Sequence, residues 1–388
     1  MRQVLPLVLV TVLITTLGVS LEAFDPPRPV LVLDNHDQPW AAWVERRGKV
    51  TVGQVARWDR NAWVSVGSPL NRNPEQSVAS VSLAFGPDGS AWAAWGERPF
   101  TATGTEGDEG RLHVAKWSGK SWDEPAPLPI HTAGTVVENQ EIRIDSKGTP
   151  WILWSEIPAG FQSDNIYLAV LKDKTWSLVD DSTLTTDISS SSRSHELALG
   201  PDGRPYLAYS EMVYHHDFEV YFSSWDGAHW APIHGSLNLD PENYASFVSV
   251  VLDSQGVPTV AFLQASDGFK LAVRRFNGKS WDLLGTPGSL GARNPKVALS
   301  LGGAPVLAAV ERIVGITVRQ RSNAGWVDLG SVISTPGAFV DTLDLAVDTQ
   351  GDPWVIWTED DQNGQRLGLS HWTGRSWEAL TPPPFSPR

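Results

Sequence analysis

Apolar residues alternate between the two faces of short segments, and a related segment returns seven times along the chain. In PWILWSE (150–156), Trp151 and Leu153 point to one face of an extended strand, whereas Ile152, Trp154 and Glu156 point to the other. Both faces are bulky and mostly apolar, which is typical of a strand in a sheet that is covered on both sides. The related segments are PWAAWVE (39–45), AWAAWGE (91–97), PYLAYSE (205–211), PTVAFLQ (258–264), PVLAAVE (305–311) and PWVIWTE (353–359). A period of about 50 residues predicts a propeller or a solenoid.

A second segment follows each copy of the first and always ends in tryptophan, which supports the count of seven units. The closing residues are Trp63, Trp122, Trp176, Trp230, Trp281, Trp326 and Trp377. All 19 tryptophans of the chain fall in the two repeated segments. Because a buried indole contributes about 150–250 Å² of packed surface, we expect these rings to pack unit against unit rather than to stack on sugars.

Each unit contains four strand-like stretches joined by turn residues such as Gly-Pro-Asp-Gly and Asp-Gly. Seven four-stranded antiparallel sheets stacked around an axis satisfy this pattern, so the sequence predicts an all-β, seven-bladed β-propeller over residues 24–388. The predicted blades are roughly 30–67, 80–127, 139–180, 194–235, 247–285, 294–330 and 342–381. The first unit starts with a first strand and the last ends with a fourth, which predicts ring closure by side-chain packing without a swapped strand.

Residues 1–23 are typical of an export signal, with Arg2, an apolar run to Leu17, and small residues up to Ala23. We therefore expect a secreted or periplasmic protein whose signal is cleaved after Ser20 or Ala23 or kept as an anchor. The chain has no cysteine, so packing alone has to stabilise it. A net charge of −14 argues against a nucleic-acid partner and against docking on an anionic membrane, and we expect a monomer.

Six of the seven repeated segments of strand two end in glutamate, and these acids are expected to form a ring on one rim of the propeller. They are Glu45, Glu97, Glu156, Glu211, Glu311 and Glu359, with Gln264 in the seventh place. A metal or a cationic ligand is one interpretation. Since the residue is nearly uniform around the ring, we favour a scaffold role in which each carboxylate accepts hydrogen bonds from backbone N–H groups.

The innermost strand of each blade carries a more variable set. Near the rim with the longer loops, one face of this strand carries Val30, Ser82, Glu141, Glu196, Ser249, Lys296 and Asp344. Two residues further along, the same face is small except for Arg143, which requires a carboxylate partner such as Glu141 or Asp145. Polar side chains that differ from blade to blade are expected to surround the channel mouth and to bind a ligand. A local salt bridge in a solvated channel is the alternative.

Histidines on the variable loops complete the candidate site. His195 precedes the fourth blade, and His215 and His216 lie in its loop between strands two and three. We count them as ligand-binding candidates, although adjacent histidines in an extended segment rarely chelate one metal ion. No cofactor is expected from the motifs, with calcium left open because Asp360 to Gly364 resembles half of a calcium loop.

The D-x-x-G-x-P turns (253–258 and 348–353) and the W-[DST]-G-x-x-W turns resemble those of secreted bacterial propellers near the sialidase superfamily. This resemblance implies a propeller over essentially the whole mature chain. The segment from Ser224 to Gly227 only approximates a sialidase Asp box, and no F/Y-R-I-P motif occurs, so the resemblance implies architecture and not sialidase activity. Trp-rich seven-bladed lectins are similar at the same level.

Two functions fit these features. The favoured interpretation is an exported binding module that recognises a glycan or a protein through its variable rim. The alternative is a polysaccharide-active enzyme, hydrolase or lyase, that uses carboxylates such as Glu141, Glu196 or Asp344 at the channel mouth. Convergence of two carboxyl groups on an arginine would favour catalysis, whereas dispersed acids with separate partners would favour binding.

Overall fold

The computed structural model describes residues 29–99, 110–128, 135–157, 165–179, 192–213, 217–265, 268–311, 314–332, 338–361 and 364–385. In these ranges the chain forms seven sheets, each built from four consecutive antiparallel strands. The predicted all-β, seven-bladed propeller is confirmed. A search of the same ranges finds no helix with the length and hydropathy that crossing a membrane requires.

The blades contain 28 strands in chain order. Blades one to three comprise β1 (Val30–Leu33), β2 (Pro39–Arg47), β3 (Val50–Asp59), β4 (Ala62–Ser65), β5 (Gln76–Phe85), β6 (Ala91–Pro99), β7 (Arg111–Trp117), β8 (Trp122–Asp123), β9 (Val136–Ile144), β10 (Pro150–Ile157), β11 (Asn165–Lys172) and β12 (Thr175–Leu178). Blades four and five comprise β13 (Ser192–Leu199), β14 (Pro205–Val213), β15 (Asp217–Trp225), β16 (Trp230–Pro232), β17 (Ala245–Leu252), β18 (Pro258–Ala265), β19 (Phe269–Phe276) and β20 (Trp281–Gly285). Blades six and seven comprise β21 (Arg293–Leu299), β22 (Pro305–Glu311), β23 (Gly315–Ser322), β24 (Gly325–Val332), β25 (Phe339–Val347), β26 (Pro353–Asp361), β27 (Gly364–Trp372) and β28 (Trp377–Leu380).

The repeated tryptophans hold neighbouring blades together, as the sequence predicts. Trp95 and Trp154, in the second strands of blades two and three, are completely buried. Five of the closing indoles donate to a backbone carbonyl at the outer edge of the preceding blade. These bonds are Trp63 to Thr381, Trp122 to Val66, Trp281 to Ile233, Trp326 to Leu284 and Trp377 to Leu329, at 2.8 to 3.1 Å. A closing tryptophan therefore combines apolar burial with a satisfied N–H group.

The ring closes between the first and last blades without a shared sheet, which confirms the predicted mode of closure. Leu31 and Trp43 of blade one pack in one apolar cluster with Ile356 and Leu369 of blade seven. The backbone N–H of Leu31 also donates to Asp344 Oδ2 at 2.9 Å. Side-chain packing and a few hydrogen bonds thus replace the strand pairing that a swapped closing strand would provide.

Six of the seven inner strands contain a β-bulge near the variable rim. Register shifts interrupt the pairing of β5, β9, β13, β17, β21 and β25 with the second strand of each blade. In β9, β17 and β21 the bulge contains a non-glycine residue with a positive φ, namely Asn139 (52°), Phe247 (56°) and Asn294 (51°). A bulge bends the strand and redirects its side chains. The alternation of side chains between the two faces of an inner strand is therefore interrupted before its rim-side end.

Candidate functional site

The ring of repeated acids is part of the scaffold. Glu97 is 1% exposed and accepts hydrogen bonds from the indole of Trp95 (2.9 Å), from the backbone N–H of Asn73 (3.0 Å) and from that of Arg72. Gln264, the exception in the ring, likewise accepts the backbone N–H of Leu239 at 2.8 Å. The favoured scaffold role is supported at these positions. Glu45, Glu156 and Glu359 likewise each accept a hydrogen bond from the indole of the tryptophan two residues earlier in the same strand. The sequence prediction did not include this partner.

The inner strands surround a central cavity of about 580 Å³. Six of the predicted ligand-binding residues line this cavity. They are Glu141 and Arg143 of β9, His195 and Glu196 of β13, Lys296 of β21 and Asp344 of β25. The alternation of the inner strands is thus correct at the level where these residues lie. Ser249 of β17 is fully buried and is not among the lining residues.

Four members of this polar set have a structural role that the sequence prediction missed. Each accepts a hydrogen bond from a backbone N–H of the next blade's inner strand, at an equivalent position. The pairs are Ser82 with Ile142, Glu141 with Leu197, Ser249 with Val297 and Asp344 with Leu31, at 2.9 to 3.1 Å. Among the described hydrogen bonds, Glu196 accepts none from the backbone. It is therefore the acid of this set whose position the interblade bonding does not explain.

Two carboxylates converge on one guanidinium. Arg143 Nη2 lies 3.3 Å from Glu141 Oε2 and 3.9 Å from Glu196 Oε1. Because both oxygens are so close to the same nitrogen, they are at most about 7 Å apart, which is close enough for the two carboxyl groups to act on one glycosidic bond. The guanidinium is held in place by bonds from Nε to the carbonyl of Leu197 and from Nη1 to that of Ile142, both at 3.1 Å. The predicted partner Glu141 is confirmed.

Lys296 extends the cluster across the channel. Its Nζ lies 3.1 Å from Glu196 Oε2, which joins blade six to blade four past the inner strand of blade five. The side chain of Glu196 is 12% exposed and that of Lys296 is 30% exposed, so the carboxylate is the more deeply buried partner of this ion pair. Three acids and two permanent cations thus share the channel mouth.

The environment separates the pKa values of the acids. Burial raises the pKa of Glu196, and the neighbouring Glu141 carboxylate adds to the rise, while Lys296 and Arg143 oppose it only in part. Burial alone would also raise the pKa of Glu141, but the adjacent His195 ring, Arg143 and the Leu197 N–H together lower it. Burial raises the pKa of Asp344 too, against the opposing charge of Lys296. One neighbouring acid is therefore biased toward its protonated form and another toward its ionised form, which is a pattern of acid and base pairs.

His195 lies in β13 rather than in the loop before it, and its side chain is only 2% exposed. Nδ1 is 3.5 Å from Glu141 Oε1, a long contact that is weaker than a well-formed hydrogen bond but still places the ring against this carboxylate. His195 lines the central cavity and also a side pocket of about 70 Å³, to which Phe247, Asn294 and Lys296 contribute as well. His215 and His216 lie outside the described residues.

The described residues contain one group with the composition of a metal site, Asp348, Asp352 and His371. Asp348 Oδ1 already accepts the backbone N–H groups of its own turn, and Oδ2 accepts the indole of Trp354 at 3.1 Å and faces His371 Nε2 at 3.2 Å. In blade five the equivalent Asp253 combines the same turn bonds with an ion pair to Arg275. The group therefore belongs to the repeated turn. The calcium hypothesis stays a prediction.

No family model matches the chain, and no curated protein matches it. Solved structures do match its fold. An ulvan lyase of the polysaccharide lyase family PL25, bound to -[GlcA(1-4)Rha3S]-, aligns with a TM-score of 0.62 at 11% identity over 92% of this chain and 95% of that chain. The GH93 α-L-arabinofuranosidase of Fusarium graminearum with arabinobiose has a TM-score of 0.53 at 12% identity over 79% and 96%. The α-L-arabinanase of Penicillium chrysogenum with arabinobiose has 0.50 at 14% identity over 78% and 93%. At these identities the likeness establishes the propeller fold, and the resemblance to sialidase-superfamily propellers stays a prediction.

Proposed function

We propose that the protein is a glycoside hydrolase that cleaves a neutral polysaccharide at the channel mouth. Glu196 acts as the general acid, and Glu141 is the partner carboxylate. The observation that carries this proposal is the convergence of both carboxyl groups on Arg143. Such convergence favours the catalytic alternative over a simple binding module.

The opposite pKa shifts assign the two roles. Glycoside hydrolysis needs one carboxylic acid that protonates the leaving oxygen and one carboxylate that acts as nucleophile or activates water. Burial holds Glu196 toward the protonated form, whereas the contacts around Glu141 favour its charge. Glu141 is also fixed by the Leu197 N–H at 2.9 Å, which orients its remaining oxygen. Arg143 is a positioning residue for both.

The charge of the site favours a neutral sugar over a uronate. Arg143 and Lys296 already face the protein carboxyl groups Glu141 and Glu196, so a substrate carboxylate would have to compete with these groups for both cations. An anionic polymer would have to approach this cluster on a chain of net charge −14. Among the solved structures named above, the arabinanase and the arabinofuranosidase hold arabinobiose, while the lyase holds a uronate-containing ligand. These features support hydrolysis rather than elimination. Cleavage of a polymer outside the cell also agrees with the export signal expected at residues 1–23.

The test is release of reducing ends from arabinan, xylan and other neutral polysaccharides by the purified protein. We expect Glu196→Gln and Glu141→Gln each to lower turnover at least about 100-fold, because each removes an acid–base function. Glu138→Gln is the matched control, since Glu138 lies in the same strand as Glu141 but pairs with Arg98. Parental turnover by Glu196→Gln would refute the assignment.

The same experiment separates the competing functions. Binding of a glycan without any release of reducing ends would indicate a binding module and not a hydrolase. Formation of an unsaturated uronate from ulvan, detected by its ultraviolet absorbance, would indicate a lyase. If the protein neither binds nor cleaves any polysaccharide of the panel, the ligand to look for is a protein partner.

A further inference from the structure

Large apolar side chains are exposed on one sector of the variable rim. Nine such side chains are exposed in the described residues, and five of them lie at the rim-side ends or loops of blades five to seven. These are Phe247, Phe269, Leu290, Val314 and Phe339. Phe247 and Phe339 belong to inner strands, which places them beside the channel. Exposed rings on inner strands, next to a polar cavity, indicate a binding surface, whereas the other three side chains do not belong to inner strands.

Phe247 is continuous with the carboxylate cluster. It lines the side pocket together with Glu196, Lys296 and Asn294. Asn294 in turn donates from Nδ2 to the carbonyl of Asp341 at 2.6 Å, which links the inner strands of blades six and seven. The aromatic side chain is thus a direct extension of the site in which Glu196 lies.

Phe339 extends the same surface around the rim. The guanidinium of Arg293 lies 4.4 Å from the centre of its ring and donates to the carbonyl of Val340 at 2.8 Å. Arg293 precedes Asn294 in β21, so the two aromatic rings are joined through adjacent residues of one strand. One face of Phe339 is covered by Arg293, yet the residue remains 57% exposed. The ring is held in place and still offers a surface to a ligand.

The backbone of Phe247 supports a role outside folding. Its φ of 56° lies in the left-handed region, which a large side chain adopts only at a conformational cost. The corresponding bulges of β9 and β21 have asparagine at positive φ, a residue that tolerates this conformation. Phe247 nevertheless leaves 37% of its surface exposed. Residues in strained backbone conformations cluster at functional sites.

We propose that Phe247, Asn294 and Phe339 form a strip that binds the sugar residues of a neutral polysaccharide adjacent to the residue at the carboxylate cluster. This inference rests on the proposed function in one respect, because it takes that cluster as the reacting end. The C–H face of a sugar ring packs against an aromatic face, and Asn294, which lines the side pocket with Phe247, offers its amide oxygen as an acceptor for a sugar hydroxyl. The substrate is accordingly a polymer that crosses blades five to seven, and not a disaccharide held in the channel alone.

The strip is tested by affinity electrophoresis, which does not depend on turnover. Phe247→Asn and Phe339→Ala are made in the Glu196→Gln protein and run through gels that contain arabinan or xylan. Phe247→Asn introduces asparagine, the residue that has a positive φ in the equivalent bulges of β9 and β21, so we expect this variant to fold. We expect each variant to bind the polymer about five- to tenfold more weakly, as for loss of one ring-stacking contact. Phe269→Ala is the control, since Phe269 is 47% exposed on the same rim but begins a third strand.

Turnover by the protein with Glu196 intact gives the second measurement. The strip variants should lower kcat/KM for the polymer about five- to tenfold and leave kcat/KM for arabinobiose within about twofold. Equal retardation of parent and strip variants, or equal loss in Phe269→Ala, would overturn the strip. No retardation of the parent by either polymer would also overturn it, while hydrolysis of arabinobiose that depends on Glu196 would leave the proposed function standing.

Discussion

Replacement of Glu97 by alanine tests whether the ring of acids at the end of strand two is scaffold or ligand site. The carboxylate of Glu97 is buried and satisfies three N–H donors, those of the Trp95 indole and of the Arg72 and Asn73 backbone. Alanine would leave all three donors unpaired between two blades. An unsatisfied buried donor costs about 1–3 kcal/mol, but the backbone donors of Arg72 and Asn73 are only partly buried and cost less than the indole. We therefore expect the free energy of unfolding to fall by about 3–6 kcal/mol. This is a large part of the 5–15 kcal/mol that is usual for a folded domain.

Urea unfolding followed by tryptophan fluorescence measures this loss. Glu97→Gln is the matched variant, because blade five uses Gln264 at the same position and bonds its oxygen to the Leu239 N–H at 2.8 Å. Glutamine keeps one acceptor oxygen, so we expect a loss of only about 1–2 kcal/mol. A Glu97→Ala protein within about 1 kcal/mol of the parent would refute the scaffold role. The ring would then be available to a cation, and the inner-strand cluster would not be the only acidic candidate.

Three further results are expected. The pH profile of kcat/KM should fall on the alkaline side as Glu196, with its raised pKa, ionises, and on the acid side as Glu141, with its lowered pKa, becomes protonated. Because Lys296 favours the ionised form of Glu196, Lys296→Met should move the alkaline limb to higher pH. An unmoved limb would exclude Glu196 as the acid. Asp344→Ala should destabilise the protein by about 1–3 kcal/mol and speed hydrogen exchange at the Leu31 amide, because that N–H loses its acceptor between blades seven and one; unchanged exchange would show that the closure does not use this bond. Phe247→Asn should raise the urea midpoint by relieving about 1–2 kcal/mol of left-handed strain, and a lower midpoint would argue that the ring serves the fold.

The sequence predicts the blades because their signals are local. Alternating bulky residues, turn glycines and a closing tryptophan recur within each unit, so period and strand order follow without knowledge of distant contacts. The same alternation correctly brings Glu141, Arg143, Glu196, Lys296 and Asp344 to one cavity. Residues two apart on an inner strand share a face, and the inner strands of all blades converge on the axis.

Contacts between blades could not be predicted in this way. The bonds from Glu141 to Leu197 and from Asp344 to Leu31 depend on how two sheets are offset, which no local pattern encodes. Five of the six bulges were missed because they contain neither glycine nor proline, and only the bulge of β21 has such a signal, at Pro295. Phe247 in particular gives no sign of a positive φ. As a result, the sequence placed His195 in a loop and left Phe247, Asn294 and Phe339 out of the site.

The pairing of Lys296 with Glu196 distinguishes the site from the scaffold that surrounds it. The inner-strand hydrogen bonds described above join a blade to the next one, as stacking around an axis requires. Lys296 instead reaches from blade six to blade four, and the fully buried Ser249 of blade five leaves the space between them open. Contacts between nearest neighbours are sufficient to build the ring, so an ion pair that skips a blade is not needed for its assembly. Three residues depart from the repeat and meet at one point of the channel. They are Arg143 among small residues, Glu196 without a backbone donor, and Lys296 as a cation among acids and serines. We therefore propose that the chemistry takes place at this point, whereas the residues that follow the repeat stabilise the ring.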